Sequence, residues 1–150
     1  MQDTGCWFRD AELNDAAELA VLMCELGYET KRAEMETRLK LILSNPAYKT
    51  FVAIMDGCLC GMIGTFTYPS YEHNGPGGRI LALVTSSAAR RRGIGRALVA
   101  TAEKDFAQRG VSRVALDTRL TREDAHKFYE SLGYERNGWR FVKQLARLPV

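Results

Sequence analysis

The chain has 150 residues, 46% hydrophobic and 26% charged, the size and balance of a single globular domain with its own core. The 21 basic and 18 acidic residues leave a net charge of +3, too weak by itself to argue a nucleic-acid partner. No apolar run approaches the ~18 residues of a membrane span, and Met1-Gln2-Asp3-Thr4-Gly5 lacks the basic start and apolar stretch of a secretory signal, so a cytoplasmic protein with no membrane partner is expected.

Cys6 to Arg9 reads as a first strand. Asn14 or Asp15 can cap a helix whose Leu19, Leu22, Met23 and Leu26 share one stripe, with Gly27 as its stop. Met35, Leu39, Ile42 and Leu43 mark a second helix, ended by Asn45-Pro46. Thr50 to Met55, the turn Asp56-Gly57 and Cys58 to Thr67 form a hairpin, followed by a loop over 68–78. Arg79 to Thr85 is a nearly unbroken apolar run, as in a strand covered on both faces. Gly93 to Gln108 is helical, with Ile94, Leu98, Ala102 and Phe106 on one face, and Val111 to Thr118 is another buried strand. Thr121 and Asp124 open a capping box for a last helix with Ala125, Phe128, Tyr129 and Leu132, closed by Gly133. Asn137-Gly138 between Tyr134–Arg136 and Trp139–Val142 signals a final hairpin. The sum is an α/β chain, one domain over 1–150, with a mixed sheet of about seven strands flanked by four helices.

Four cysteines, Cys6, Cys24, Cys58 and Cys60, include no Cys-x-x-Cys spacing, so no metal is expected. Cys58 and Cys60 would share a strand face, and the thiols are expected to be reduced and mostly buried.

The most informative stretch runs from Leu81 to Leu98. A buried strand enters a basic turn, Arg90-Arg91-Arg92, and Gly93 and Gly95 open an amphipathic helix that also carries Arg96. Glycines let backbone N–H groups approach a ligand, a helix start supplies unsatisfied donors, and arginines add charge, so the turn suits a pyrophosphate. A phosphate-binding loop of the Gly-Lys-Ser/Thr kind fails at Arg96-Ala97, and a dinucleotide fingerprint fails at Leu98. A purely structural arginine turn stays open on this segment alone. A nucleic-acid module would need interleaved aromatic and basic residues, which are absent.

Arg90-x-x-Gly93-x-Gly95 resembles the Gln/Arg-x-x-Gly-x-Gly/Ala motif of the GNAT N-acetyltransferases, and Ala125-x-x-Phe128-Tyr129-Glu130-x-x-Gly133-Tyr134 resembles that family's second signature. The element order agrees along essentially the whole chain. The resemblance implies acetyl-coenzyme A as co-substrate, with the main chain of Leu83, Val84 and Thr85 on its pantetheine arm. The segment Arg90, Arg91, Arg92, Gly93, Ile94, Gly95 and Arg96 would hold its pyrophosphate. Tyr129 would stand near the thioester sulfur and protonate the leaving thiolate. The chain departs from the family pattern at Ala82, where many relatives have a glutamate, and at Arg122, where many have an asparagine. Asp117 is the first candidate for the base, and Glu72 and His73 are others.

Arg122-x-Asp124-Ala125-His126-x-Phe128-Tyr129 with Arg140-Phe141-x-Lys143-x-Leu145 resembles the C-terminal end of bacterial aminoalkylphosphonate N-acetyltransferases. It implies a small-molecule primary amine as acceptor, with Tyr68, Tyr71, Glu72 and His73 in a loop that could close over it. A protein acceptor, and an acyl-coenzyme A sensor of the same fold without turnover, remain alternatives, as does a homodimer beside a monomer.

Overall fold

The computed structural model describes residues 5–118 and 122–146, in two units, Met1–Leu116 and Asp117–Val150. The first unit contains β1 (Cys6–Asp10), α1 (Ala16–Leu26), α2 (Arg32–Leu43), β2 (Tyr48–Met55), β3 (Cys58–Pro69), β4 (Pro76–Thr85), α3 (Ile94–Gln108) and β5 (Val114–Ala115). The second contains α4 (Glu123–Ser131). The strands pair in chain order, antiparallel from β1 to β4 and parallel between β4 and β5.

Local chemistry accounts for the junctions. Asp56 and Gly57 both have positive φ, 53° and 76°, which gives the β2–β3 turn the twist that antiparallel strands require. Gly27 ends α1 in the left-handed region, at φ 112°. A 3-10 turn, Leu13–Asp15, precedes α1, and Asp15 makes no side-chain cap there. Its buried carboxylate instead accepts from both Arg9 Nη atoms at 2.8 and 2.9 Å and from the Glu12 N–H at 2.7 Å. Those bonds hold the Asp15 carboxyl below the usual carboxylate range.

Strand alternation divides the core into two layers. Val52, Ile54, Met62 and Val84 face α1 and α2, where they meet Leu19, Leu22, Met35 and Leu39. The opposite face receives α3, whose Ile94, Leu98, Val99, Ala102 and Phe106 are all buried. Two glycines bring this helix close. A Cβ on Gly61 would lie 3.2 Å from Leu98 Cδ1, and one on Gly78 would lie 2.7 Å from Phe106 Cε1.

Several expectations are corrected. The described residues contain five strands, not about seven, and the strand expected over Val111–Thr118 shrinks to Val114–Ala115. Tyr134–Arg136 and Trp139–Val142 form no hairpin. Asn137-Gly138 offers a turn, but strands need a face to bury, and Trp139 and Phe141 are 77% and 92% exposed. The 68–78 loop narrows to Ser70–Gly75, because β3 runs through Tyr68 to Pro69 and β4 begins at Pro76. Cys58 is exposed and Cys60 buried, so they do not share a face: the β2–β3 register shifts between them, with Leu59 opposite Ile54 and Gly61 opposite Ala53. Cys24 is exposed as well. Of the expected capping box on α4, Thr121 lies outside the described residues. No helix among the described residues is long and apolar enough to cross a membrane.

The α3 packing yields a measurable consequence. Gly78→Ala drives a methyl group into the fully buried Phe106 ring and against Val111, so it should cost about 1–3 kcal/mol of stability, seen in thermal and urea unfolding. Wild-type stability in this variant would mean that Phe106 does not seat on Gly78.

Candidate active site

The site begins with a break in β4. The β3–β4 register shifts between Gly64 and Thr65, which face Ala82 and Ile80, so Leu81 is an extra residue without a partner position on β3. It is 51% exposed although it sits within an apolar run. The bulge resets the strand's alternation. Before it, the Gly78 N–H points to β5, donating to the Arg113 carbonyl at 3.0 Å. After it, the Val84 carbonyl is directed at β3, 3.2 Å from where a Cβ on Gly61 would stand, and the Ser86 N–H donates to the Cys60 carbonyl at 2.7 Å. Antiparallel alternation then turns the main-chain groups of Leu83 and Thr85 to the other edge, the β5 side. There, among the described residues, β5 pairs only with Gly78 and Arg79, so it does not reach either residue. Of the three residues expected to offer main-chain groups, Leu83 and Thr85 face this edge and Val84 faces β3.

Beyond Thr85 the chain makes a 3-10 turn, Ser87–Ala89, and enters the arginine turn. Arg91 has φ 67°, rare for a residue with a side chain, and Gly93 has φ 74° as the N-cap of α3. Gly93 has no side chain with which to cap this helix, and the first-turn donors at Ile94 and Gly95 have no acceptor four residues earlier in the helix. A Cβ on Gly93 would meet nothing within 4 Å, leaving open space over the helix start. Arg90, Arg91, Arg92 and Arg96 are all exposed around it, while Ala89 and Ile94 are buried and anchor the turn on either side. Arg92 also rests its Nη1 3.6 Å from Met55 Sδ. The fit to a diphosphate is good: donors, positive charge and room at one helix start.

The loop candidates lie elsewhere. Tyr68 and His73 line an open cleft of about 380 Å³ with Thr67, Pro69, Ser70, Gly75 and Pro76. Ser70 Oγ accepts from the Glu72 and His73 N–H groups at 3.2 and 3.1 Å, and His73 Nε2 contacts Arg113 Nη1. Tyr71 and Glu72 are exposed. This cleft flanks the Pro76 end of β4, and the arginine turn follows the Thr85 end, about 30 Å away at the rise of an extended strand. Tyr68, Tyr71, Glu72 and His73, expected at the acceptor rather than at the pyrophosphate, thus lie at the end of β4 opposite the arginine turn.

Tyr129 and Asp117 belong to the second unit. Tyr129, on α4, packs edge-on against Phe128 and Tyr134, with ring centroids 5.1 and 5.9 Å away. Burial pushes its phenol above the ordinary range, partly opposed by the positive charge of Arg122. Asp117 Oδ2 lies 3.8 Å from Arg140 Nε, and its side chain is 45% exposed. His126, buried on α4, has Nδ1 3.7 Å from Glu123 Oε1. Among the described residues no three His, Cys, Asp or Glu side chains gather as a metal ion would require.

Three features escaped sequence reasoning. The bulge at Leu81 is hidden inside an unbroken apolar run. The positive φ of Arg91 has no compositional mark. Glu25 on α1, whose carboxylate accepts from the Ser87 N–H and Oγ, is 62 residues distant in sequence.

Comparisons with known proteins identify the family. The family model described as Acetyltransferase (GNAT) family matches residues 13–134. The aminoalkylphosphonate N-acetyltransferase of Salmonella typhimurium is 32% identical over 145 residues, covering 93% of this chain and 92% of its own. That likeness spans nearly the whole chain and is not confined to the C-terminal end where the sequence first suggested it. A solved GNAT family acetyltransferase from Staphylococcus aureus superposes with a TM-score of 0.81 at 27% identity, over 94% of this chain and 99% of its own. A solved transcriptional regulator from Bacillus halodurans shares the fold at a TM-score of 0.87 and 23% identity, over 93% and 99%. With the family model covering most of its length and a relative matched over nearly all of it, this chain is a GNAT-family N-acetyltransferase.

Proposed function

We propose that the chain transfers the acetyl group of acetyl-coenzyme A to the primary amine of a small molecule. The observation that carries this reading is the β4 edge left by β5 after Arg79, which leads directly into the glycine-capped, arginine-rich start of α3. The family uses acetyl-coenzyme A as co-substrate, and the thioester supplies an activated acetyl carbon. On this chain the Leu83 and Thr85 main-chain groups would pair with the pantetheine amides as an added strand does. The Arg91–Arg96 backbone and the surrounding guanidinium groups would hold the pyrophosphate. A small acceptor is supported by the Salmonella relative, which is named for aminoalkylphosphonates and matches over 92% of its own length.

The chemistry assigns each candidate one task. The attacking amine must be neutral, and a free alkylamine has a pKa near ~10, so a base must take its proton. Asp117 is our choice for that base. The new C–N bond forms as the C–S bond breaks, and the leaving sulfur needs a proton, which the Tyr129 O–H would donate. Burial raises the Tyr129 phenol above its ordinary range, so the residue holds the proton that it would give to the thiolate. A coenzyme-binding protein of the same fold without turnover is the second reading, favoured by Ala82 at the position where many relatives carry a glutamate. Thiol release from acetyl-coenzyme A with aminoalkylphosphonates, polyamines, amino sugars and a lysine-peptide library separates the readings. Turnover of small amines supports the first, peptide turnover alone removes the small-molecule acceptor, and binding without thiol release selects the second.

Two variants test the residues. Gly93→Asp puts a carboxylate at the helix start, where a Cβ meets no neighbour but the φ of 74° strains a side chain by about 1–2 kcal/mol, so a somewhat less stable protein should still fold, as its melting temperature reports, while coenzyme A affinity falls about 100-fold or more by calorimetry. Unchanged affinity would remove the pyrophosphate assignment. Tyr129→Phe keeps the ring packing and loses the hydroxyl, so kcat should fall roughly 10–10³-fold with coenzyme affinity unchanged. Wild-type kcat in that variant would return Tyr129 to a packing role.

A further inference from the structure

Glu25 occupies the penultimate position of α1, at the C-terminal end of the helix dipole, where a negative charge is unfavourable and the last turn holds no basic residue. Helix stability therefore does not explain its presence. Its carboxylate accepts from the Ser87 N–H and from Ser87 Oγ, each at 3.3 Å, across 62 residues of chain. Ser87 opens the 3-10 turn that carries β4 into the arginine turn.

The remaining anchors of this segment show what Glu25 adds. Ser86 is tied to β3 through the Cys60 carbonyl, Arg92 touches Met55 at the end of β2, and Ala89 and Ile94 are sunk into the core. Between Ser86 and Ala89 the chain is exposed. The Glu25 carboxylate, fixed on a helix, is the acceptor that fixes this exposed stretch through both a main-chain and a side-chain donor of one residue. It thereby sets the path by which the chain enters the positive-φ positions Arg91 and Gly93.

We infer that Glu25 is a positioning residue for the coenzyme site: by holding Ser87 it preorganises the turn whose N–H groups bind the pyrophosphate. This rests on the proposed function above. The carboxylate acts here as a hydrogen-bond acceptor and not through its charge, which would repel a diphosphate. An amide oxygen can therefore replace it, and a methyl group cannot.

The test compares Glu25→Ala, Glu25→Gln and Ser87→Ala with the wild-type chain, using acetyl-coenzyme A turnover for KM and kcat and calorimetry with coenzyme A for affinity. Glu25→Ala should raise KM and Kd about 3–10-fold, as expected for one lost hydrogen-bonding group, with kcat within about twofold. Glu25→Gln should stay near wild type. Ser87→Ala, which keeps its N–H, should fall between. Melting temperatures report whether each exposed-site variant is folded. Wild-type KM and Kd in Glu25→Ala would overturn the inference, and so would Glu25→Gln as impaired as Glu25→Ala. A wild-type chain that fails to bind coenzyme A would instead remove the proposed function and this role with it.

Discussion

The structure turns on where β4 loses its parallel neighbour. A strand inside a sheet must satisfy main-chain groups on both edges, and β4 has β3 along its whole length on one side. On the other side, among the described residues, β5 pairs only with Gly78 and Arg79. The bulge at Leu81 then changes which residues look outward, so that Leu83 and Thr85 present their N–H and C=O groups to the side β5 does not reach. A two-residue β5 and one extra residue in β4 together produce a partner-seeking strand edge. That edge ends at the arginine turn, and this order of strand edge and helix start is what the proposed coenzyme site rests on.

Packing on α3 keeps the two parts in register. Gly61 and Gly78 let the helix lie close to the sheet, with Leu98 and Phe106 above them, and each large buried side chain contributes about 1.5–3 kcal/mol. Ile94, the first residue of the helix, is buried as well, which fixes the helix start relative to β4. The same helix thus supplies core stability through one face and presents its glycine-capped, arginine-flanked start at its end. On the opposite face of the sheet, α1 adds the Glu25 contact to Ser87, so both helical layers bear on the turn that joins β4 to α3.

Much of this was legible in the residues. The helical stripes of α1 and α3 matched their buried faces, because those helices bury an apolar row spaced at the helical period. Gly27, Gly93 and Gly133 all take the positive φ that their positions as helix boundaries required. The turn itself was legible, since Gly93 falls where the strand's apolar run has ended and the helical stripe of Ile94 and Leu98 begins. The bulge was not, because Ile80 to Val84 are apolar on both faces and their alternation carries no register mark. The hairpin expected at Asn137-Gly138 failed for the converse reason: turn chemistry is local, but pairing requires a surface that Trp139 and Phe141 do not find within their own unit. Tyr68 illustrates a boundary error, a strand residue assigned to a loop by its Pro-Ser neighbours.

The most direct test of the account is a crystal structure of the chain with coenzyme A bound. The account requires the pantetheine amides within hydrogen-bond distance of the Leu83 and Thr85 main chain, and the pyrophosphate on the backbone from Arg91 to Arg96. Coenzyme A bound anywhere else, with that edge and helix start unengaged, would contradict it.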